Sequence, residues 1–281
     1  MKSQIPTETT CKSDSTSRRP SSRAIIILLR LKVEIIHCRR HTAPDNSNII
    51  LLRKQDGICT YTFFSDIDDY INSHLIPTDP RLQHALDNTD TQGFSNHLAV
   101  APNQGMFLQM LIQMNQCKRV LELGTFGAYS TIWLAKALPE DGYLLTVEGR
   151  DTHVIIAQEN IDFANMPTNI ELKKGRGADI MKQLIAEGSE PFDLIFIDAD
   201  KQSYREYFEL SLQLSHSGTI IVLDNVIRAG AILDENNKKP SIEGIREAFT
   251  ALKDHPQLLS CTALQTVGSK GHDGFAIAIV K

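Results

Sequence analysis

After Lys118 the chain alternates, segment by segment, between short apolar runs and amphipathic stretches of helical length. RVLEL (119–123), YLLTVE (143–148), NIELKKG (169–175), FDLIFID (192–198) and GTIIVLDN (218–225) read as strands. Between them YSTIWLAKAL, DTHVIIAQENIDFA, ADIMKQLIAEG and QSYREYFELSLQL carry apolar residues at helical spacing, and SIEGIREAFTALKD follows the fifth strand. A strand that is apolar throughout must be covered on both faces, and strand–helix alternation covers it with helices on either side of a parallel sheet. The last two strands, LLSCTALQTV and DGFAIAIV, have only a Gly/Ser-rich turn between them. They form a hairpin, so the final strand runs antiparallel. The expected fold is α/β, a doubly wound, mostly parallel seven-stranded sheet.

The region upstream divides in two. Residues 1–60 are Ser/Thr-rich, then carry the isolated run AIIILLRLKVEII (24–36) and the turn-like APDNSN (43–48). The run is too short for a bilayer span and is interrupted by Arg30, Lys32 and Glu34. Glu8 and Asp14 argue against a transit-type leader. We expect residues 1–60 to be a poorly ordered or loosely attached extension, and 61–281 to form the functional domain. Ser65 is placed to cap a helix over SDIDDYINSHL, Pro77 and Pro80 interrupt it, and RLQHALDNTD reads as a second short helix. NQGMFLQMLIQMNQ (103–116) has Met106, Phe107, Met110, Leu111 and Met114 at helical spacing, a stripe that reads as core.

Charge and cysteine content narrow the chemistry. The net charge of -5, without a long basic run, excludes a nucleic-acid backbone as partner, and nothing indicates a membrane. Five scattered cysteines with no CxxC pair exclude a thiolate zinc site and a disulfide framework. Reduced thiols in a cytoplasmic protein are the expectation.

In a Rossmann-like sheet, ligands bind beyond the carboxyl ends of the strands, where the strand order reverses. The first strand ends in ELGTFGAYS (122–130), in which Gly124 lets another group approach the backbone and the next helix offers free N–H groups to a carboxylate. The second ends in Glu148, which can accept from both hydroxyls of a ribose. Together these indicate an adenosine ligand. They suit a nicotinamide dinucleotide too, although the spacing is not GxGxxG.

The fourth strand ends in Asp198-Ala199-Asp200-Lys201 and the fifth in Asp224-Asn225. Adjacent strands bring Asp198, Asp224 and Asn225 to one rim. Three oxygen donors without His or Cys suit a hard cation, Mg²⁺ first, with Mn²⁺ or Ca²⁺ as alternatives. Lys201 lies one turn beyond Asp198, and a bound dication would push its pKa down toward the working range of a base. Asp200 is out of phase with Asp198 and points elsewhere.

VLELGTFGAYSTIWLAKALP, FDLIFIDADKQSY, IIVLDNVIRAG and TALQTVGSKGHDGFAIAIV resemble the cation-dependent O-methyltransferases of catechol and caffeoyl-coenzyme A type, nearest their bacterial branch. The resemblance runs from about Ser65 to the C-terminus. It implies transfer of a methyl group from S-adenosylmethionine to a hydroxyl of a catechol-like or hydroxycinnamoyl phenol, with Asp198, Asp224 and Asn225 as metal ligands and Lys201 as base. It also implies cofactor contacts from Val100, Glu122, Gly124, Ser130, Glu148, Ala178 and Asp198, and a homodimer. The chain departs from the family at Ala128, where a glycine is usual, and at Arg228, where plant members carry an aromatic residue. The first departure implies a slightly displaced loop if that position needs positive φ; the second argues against a caffeoyl-coenzyme A preference. The competing readings are an NAD(P)-dependent oxidoreductase, which leaves Asp198, Asp224 and Asn225 without a task, and a non-catalytic adenosine-binding module.

Overall fold

The computed structural model describes residues 60–281, with side chains from Phe64 onward. The reading of residues 1–60 as a loose extension, and the apolar run at 24–36, therefore lie outside the described residues, save that Thr60 opens the first helix. Two helices, α1 (Thr60–Leu75) and α2 (Pro80–Thr91), precede α3 (Pro102–Met114). Then come β1 (Arg119–Leu123), α4 (Tyr129–Ala137), β2 (Tyr143–Glu148), α5 (Asp151–Ala164), β3 (Asn169–Lys174) and α6 (Gly177–Ala186). The chain closes with β4 (Phe192–Ile197), α7 (Tyr204–Gln213), β5 (Ser215–Leu223), α8 (Pro240–Leu252), β6 (Leu258–Gly268) and β7 (Gly271–Val280).

The seven strands form one sheet in the order β3-β2-β1-β4-β5-β7-β6. Strands β1 to β5 pair in parallel, and β7 runs antiparallel to both β5 and β6. One apolar cluster, from α6, α7 and α8, covers one face of the sheet; the other, centred on Trp133 and including α2, α3 and α4, covers the opposite face. The all-apolar strands are thus buried on both sides, which is why they lack alternation. The order reverses between β1 and β4, so the carboxyl tips of these two strands open a crevice. Among the described residues no helix is long and apolar enough to cross a membrane.

Three local expectations are corrected. Helix α1 begins at Thr60, so Ser65 lies inside it and caps nothing. Pro80 opens α2 as well as ending the preceding segment; Asp79 is the cap, accepting from the Arg81 N–H at 3.0 Å. The Met/Leu stripe of α3 is rotated: Gly105, Leu108, Leu111 and Ile112 are buried, whereas Met110 and Met114 are 46% and 67% exposed. The cause is Gly105, which rests directly on the Trp133 ring and draws its own face inward. A glycine adds nothing to an apolar count, so the stripe misleads.

Candidate functional site

The parallel register carries the backbone hydrogen bonding one residue past the strands. Gly124 N–H donates to Val147 O at 2.9 Å, Asp198 N–H to Leu123 O at 2.8 Å, and Asp224 N–H to Ile197 O at 2.9 Å. Because Ile197 pairs with Leu223, Asp198 and Asp224 leave the sheet side by side. Tyr204, at the start of α7, ties these tips: its buried hydroxyl lies 3.1 Å from Ile197 O and 2.7 Å from Asp224 O.

A cleft of about 840 Å³ opens over the tips. Of the residues singled out from sequence, Val100, Gly124, Ser130, Glu148, Asp198, Lys201 and Asn225 line it, as does Arg228. Glu122, Ala178 and Asp224 stand behind the wall and are buried. Ala178 turns its methyl into the core, while Gly177, just before it, faces the cleft.

At the β1 end, Gly124 has φ +98°, and a Cβ there would lie 2.1 Å from Asp198 O. The glycine thus serves the approach of strand tip to strand tip as well as the ligand side. Phe126 and Ala128 also have positive φ, 49° and 60°. Ala128 therefore adopts the left-handed conformation that its usual glycine would provide. The strain of about 1–2 kcal/mol is partly offset by packing of its buried methyl against Ala157 and Ile161, worth about 0.8 kcal/mol. The loop is further held by Asn160, which donates to Gly127 O at 2.9 Å.

Glu122 receives the hydroxyls of Ser130, Thr131 and Thr146. Burial pushes its pKa up to about 7 despite those three donors, and the Asp198 carboxylate adds to the rise. Glu148 accepts from the N–H groups of Phe126 and Arg150, both at 2.9 Å, one on each carboxylate oxygen. His153 Nδ1 also stands 3.5 Å from Oε1, so Oε2 keeps the more open lone pair for a ligand's hydroxyls.

At the β4–β5 end, Lys201 Nζ sits 2.6 Å from Asp198 Oδ1. Burial opposes the charge on Lys201, but the Asp198 carboxylate and Tyr204 outweigh it, and the pKa is raised above the ordinary lysine value. This is opposite in direction to the shift expected beside a dication, because here Asp198 is the neighbour that counts. Asp224 is buried; desolvation first, and then repulsion from Asp198, raises its pKa to about 7. Its Oδ2 accepts from Gln104 Nε2 at 2.8 Å and its Oδ1 from the Asn225 N–H at 2.7 Å. Asp200 is turned away from Asp198 and accepts from Tyr207 and Ser203. Among the described residues no group of three or more His, Cys, Asp or Glu gathers to hold a metal. The candidate set comprises two carboxylates and one amide.

The sequence profile of the O-methyltransferase family matches residues 75–268, which include every residue of this cleft named above. The chain belongs to the O-methyltransferase family. It is 47% identical over 218 residues to a catechol O-methyltransferase of Niastella koreensis, spanning 78% of this chain and 98% of that one. A catechol O-methyltransferase of Mycobacterium tuberculosis is 39% identical, over 77% of this chain and 96% of the other. Among solved structures, an O-methyltransferase of Bacillus cereus in complex with SAH superposes with a TM-score of 0.76 at 43% identity, covering 79% of this chain and 100% of that one. This membership sets aside the nicotinamide reading.

Several residues of this O-methyltransferase that build the site escaped the sequence reading. Gln104, Tyr204, Thr131 and Thr146 touch the strand-tip residues, yet nothing in their local pattern marks them. Gly244 on α8 is another: a Cβ there would lie 2.3 Å from Lys201 O, so helix α8 can rest on the Lys201 turn only through a glycine. Asp273 is a third kind. Its Oδ1 accepts from the N–H groups of Ile227 and Arg228 at 3.0 and 2.9 Å, and so holds the loop that brings Arg228 to the cleft.

Proposed function

We propose that this O-methyltransferase moves the methyl group of S-adenosylmethionine to a hydroxyl of a catechol-like phenol, with a divalent cation held by Asp198, Asp224 and Asn225 and with Lys201 as the base. The observation that carries the reading is the pair of carboxylates leaving adjacent strands side by side, with an amine on one of them, Asp198 lining the cleft that Ser130 and Glu148 also border and Asp224 buried just behind its wall. The catechol O-methyltransferases among its relatives support the substrate class.

The residues fit a hard cation. Burial of Asp224 and the neighbouring Asp198 carboxylate raise its pKa more than the Lys201 ammonium lowers it, so the pair is short of positive charge, and all three donors are oxygens. When bound, the cation supplies Lewis acidity to the phenolic oxygens and S-adenosylmethionine supplies an electrophilic methyl. The rest falls to the protein. Glu148 has lone pairs for the ribose hydroxyls, and the first turn of α4 faces the ligand's carboxylate. Lys201 loses its counter-charge once Asp198 is committed elsewhere, and burial then lowers its pKa. It can then accept the phenolic proton. The oxygen attacks the methyl carbon in line, an O–C bond forms, and the C–S bond breaks with its electrons going to sulfur. Orientation of the two reactants contributes up to roughly 7–11 kcal/mol of the barrier reduction in favourable cases.

We also propose that the protein acts as a homodimer. Met110 and Met114 on α3 and Leu264 and Val267 on β6 are exposed apolar side chains that such an interface would cover.

A methyl-transfer assay on vicinal diphenols and matched monophenols, with and without chelator, tests the main proposal. Transfer confined to the diphenols and abolished by chelator is expected. Transfer that ignores the chelator, or that proceeds equally on monophenols, contradicts it.

A further inference from the structure

Ser130 has one proton and two carboxylates to satisfy. Its hydroxyl donates to Glu122 Oε1 at 2.6 Å. The same residue lines the cleft on the first turn of α4, whose N-terminus has no side-chain cap. Uncapped N–H groups at a helix start favour an anion, and the anionic group of S-adenosylmethionine, on which this inference rests, is its carboxylate. A hydroxyl proton given to Glu122 cannot also be given to the ligand. Two carboxylates meeting at one oxygen would also repel.

The surroundings of Glu122 allow a resolution. It is fully buried, and its two oxygens are not equivalent. Oε2 accepts from Thr131 of α4 and Thr146 of β2, whereas Oε1 faces Ser130. A proton on Oε1 can point at Ser130 Oγ while both bonds to Oε2 persist. The charged group acting on it is Asp198, at the end of β4, which disfavours ionisation of Glu122 as burial does. Glu122 consequently changes charge near neutrality, at about 7.

We infer that Glu122 takes up one proton from solvent when S-adenosylmethionine or its demethylated product binds, donates it to Ser130 Oγ, and so turns the Ser130 hydroxyl onto the ligand's carboxylate. Glu122 goes from charged to neutral, and no covalent bond to carbon changes. Glu122 is a positioning residue in this account: it does not line the cleft and acts through Ser130.

Titration calorimetry of the full chain with S-adenosylhomocysteine, in two buffers of very different ionisation enthalpy, counts the protons. At about pH 8, one pH unit above the Glu122 transition, close to one proton taken up per ligand is expected, with affinity falling about tenfold per further pH unit. The ligand 5′-methylthioadenosine lacks the amino-acid part and is expected to bind without uptake. In Glu122→Gln the amide N–H₂ donates permanently to Ser130 while its carbonyl accepts from Thr131 and Thr146. That variant is expected to bind S-adenosylhomocysteine within about threefold of the parent near neutrality, because each hydrogen bond is retained, and to take up no proton. Absence of uptake by the parent, equal uptake with 5′-methylthioadenosine, or undiminished uptake in Glu122→Gln overturns the proposal. Should Glu122→Gln not fold, the comparison of the two ligands on the parent decides alone. Failure of S-adenosylhomocysteine to bind at all would instead remove the functional reading beneath it.

Discussion

Replacing Gly124 by alanine tests whether the two strand tips are built around the absence of a side chain. Two effects act together. The residue has φ +98°, a conformation that L side chains rarely adopt, at a cost of about 1–3 kcal/mol. The new Cβ would also stand 2.1 Å from Asp198 O, well inside contact distance. The obstacle is backbone, held by the Asp198 N–H to Leu123 O bond at 2.8 Å, so no side chain can swing aside. Overpacking of this kind costs about 1–3 kcal/mol. Together they give about 2–6 kcal/mol of destabilisation, and for a domain of this size each kcal/mol lowers Tm by about 2–4 °C. A displacement of about an ångström at Asp198 is also enough to cost on the order of 100-fold in turnover. Urea titration gives the stability and methyl transfer at saturating S-adenosylmethionine gives the rate. Both are expected to fall, and Gly124→Ser should behave like the alanine variant. An alanine variant with parental stability and parental turnover would refute the claim that the tips meet at this glycine.

Three further outcomes follow from the same geometry. Lys201→Met is expected to lower kcat by about 10²–10⁴, the usual contribution of a general base, with S-adenosylhomocysteine affinity nearly unchanged by calorimetry; equal loss of both would assign Lys201 to binding. Tyr204→Phe removes the buried hydroxyl between the Ile197 and Asp224 carbonyls and is expected to cost about 1–3 kcal/mol by chemical denaturation, with a reduced kcat; unchanged stability would show that the hydroxyl does not tie the tips. Asp79 caps α2 and pairs with Arg81 at 2.8 Å and Lys136 at 2.7 Å, and the Arg81 side chain first, with Lys136, holds its pKa below the ordinary aspartate value. A depressed carboxylate stabilises the fold fully above its unfolded pKa, roughly 3.9, and loses that contribution as pH falls below it. Asp79→Ala is thus expected to be less stable by about 1–3 kcal/mol at neutral pH, with the gap closing on acidification; a gap that widens in acid contradicts the assignment.

The strand tips were legible from sequence because a parallel, fully buried strand announces both its existence and its end. Ile197 and Leu223 are the last apolar residues before Asp198 and Asp224, and their pairing follows from the alternation. Glu148 was placed by the same logic, whereas Ser130 came from the family resemblance. What did not show are groups that meet across long sequence separations: Gln104 reaches Asp224 over 120 positions, and Thr146 reaches Glu122 from the neighbouring strand. Glycines at contacts were half legible. Gly124 was noticed for its turn but not for Asp198, while Gly105 and Gly244 were missed because the absence of a Cβ leaves no mark on hydropathy. The ion pair that Lys201 makes was not foreseen, for a related reason. Its ion pair with Asp198 depends on how a turn places two side chains, and residue spacing bounds that without specifying it.

In the proposed mechanism Asp198, Asp224 and Asn225 form one oxygen site for a divalent cation, which would displace the Lys201 ammonium from Asp198. Anomalous scattering from crystals grown with S-adenosylhomocysteine and Mn²⁺ tests it most directly. A single peak within coordination distance of all three side chains, with Lys201 Nζ no longer on Asp198 Oδ1, is the predicted result. A crystal with no peak at these tips and the Lys201–Asp198 pair intact would contradict it.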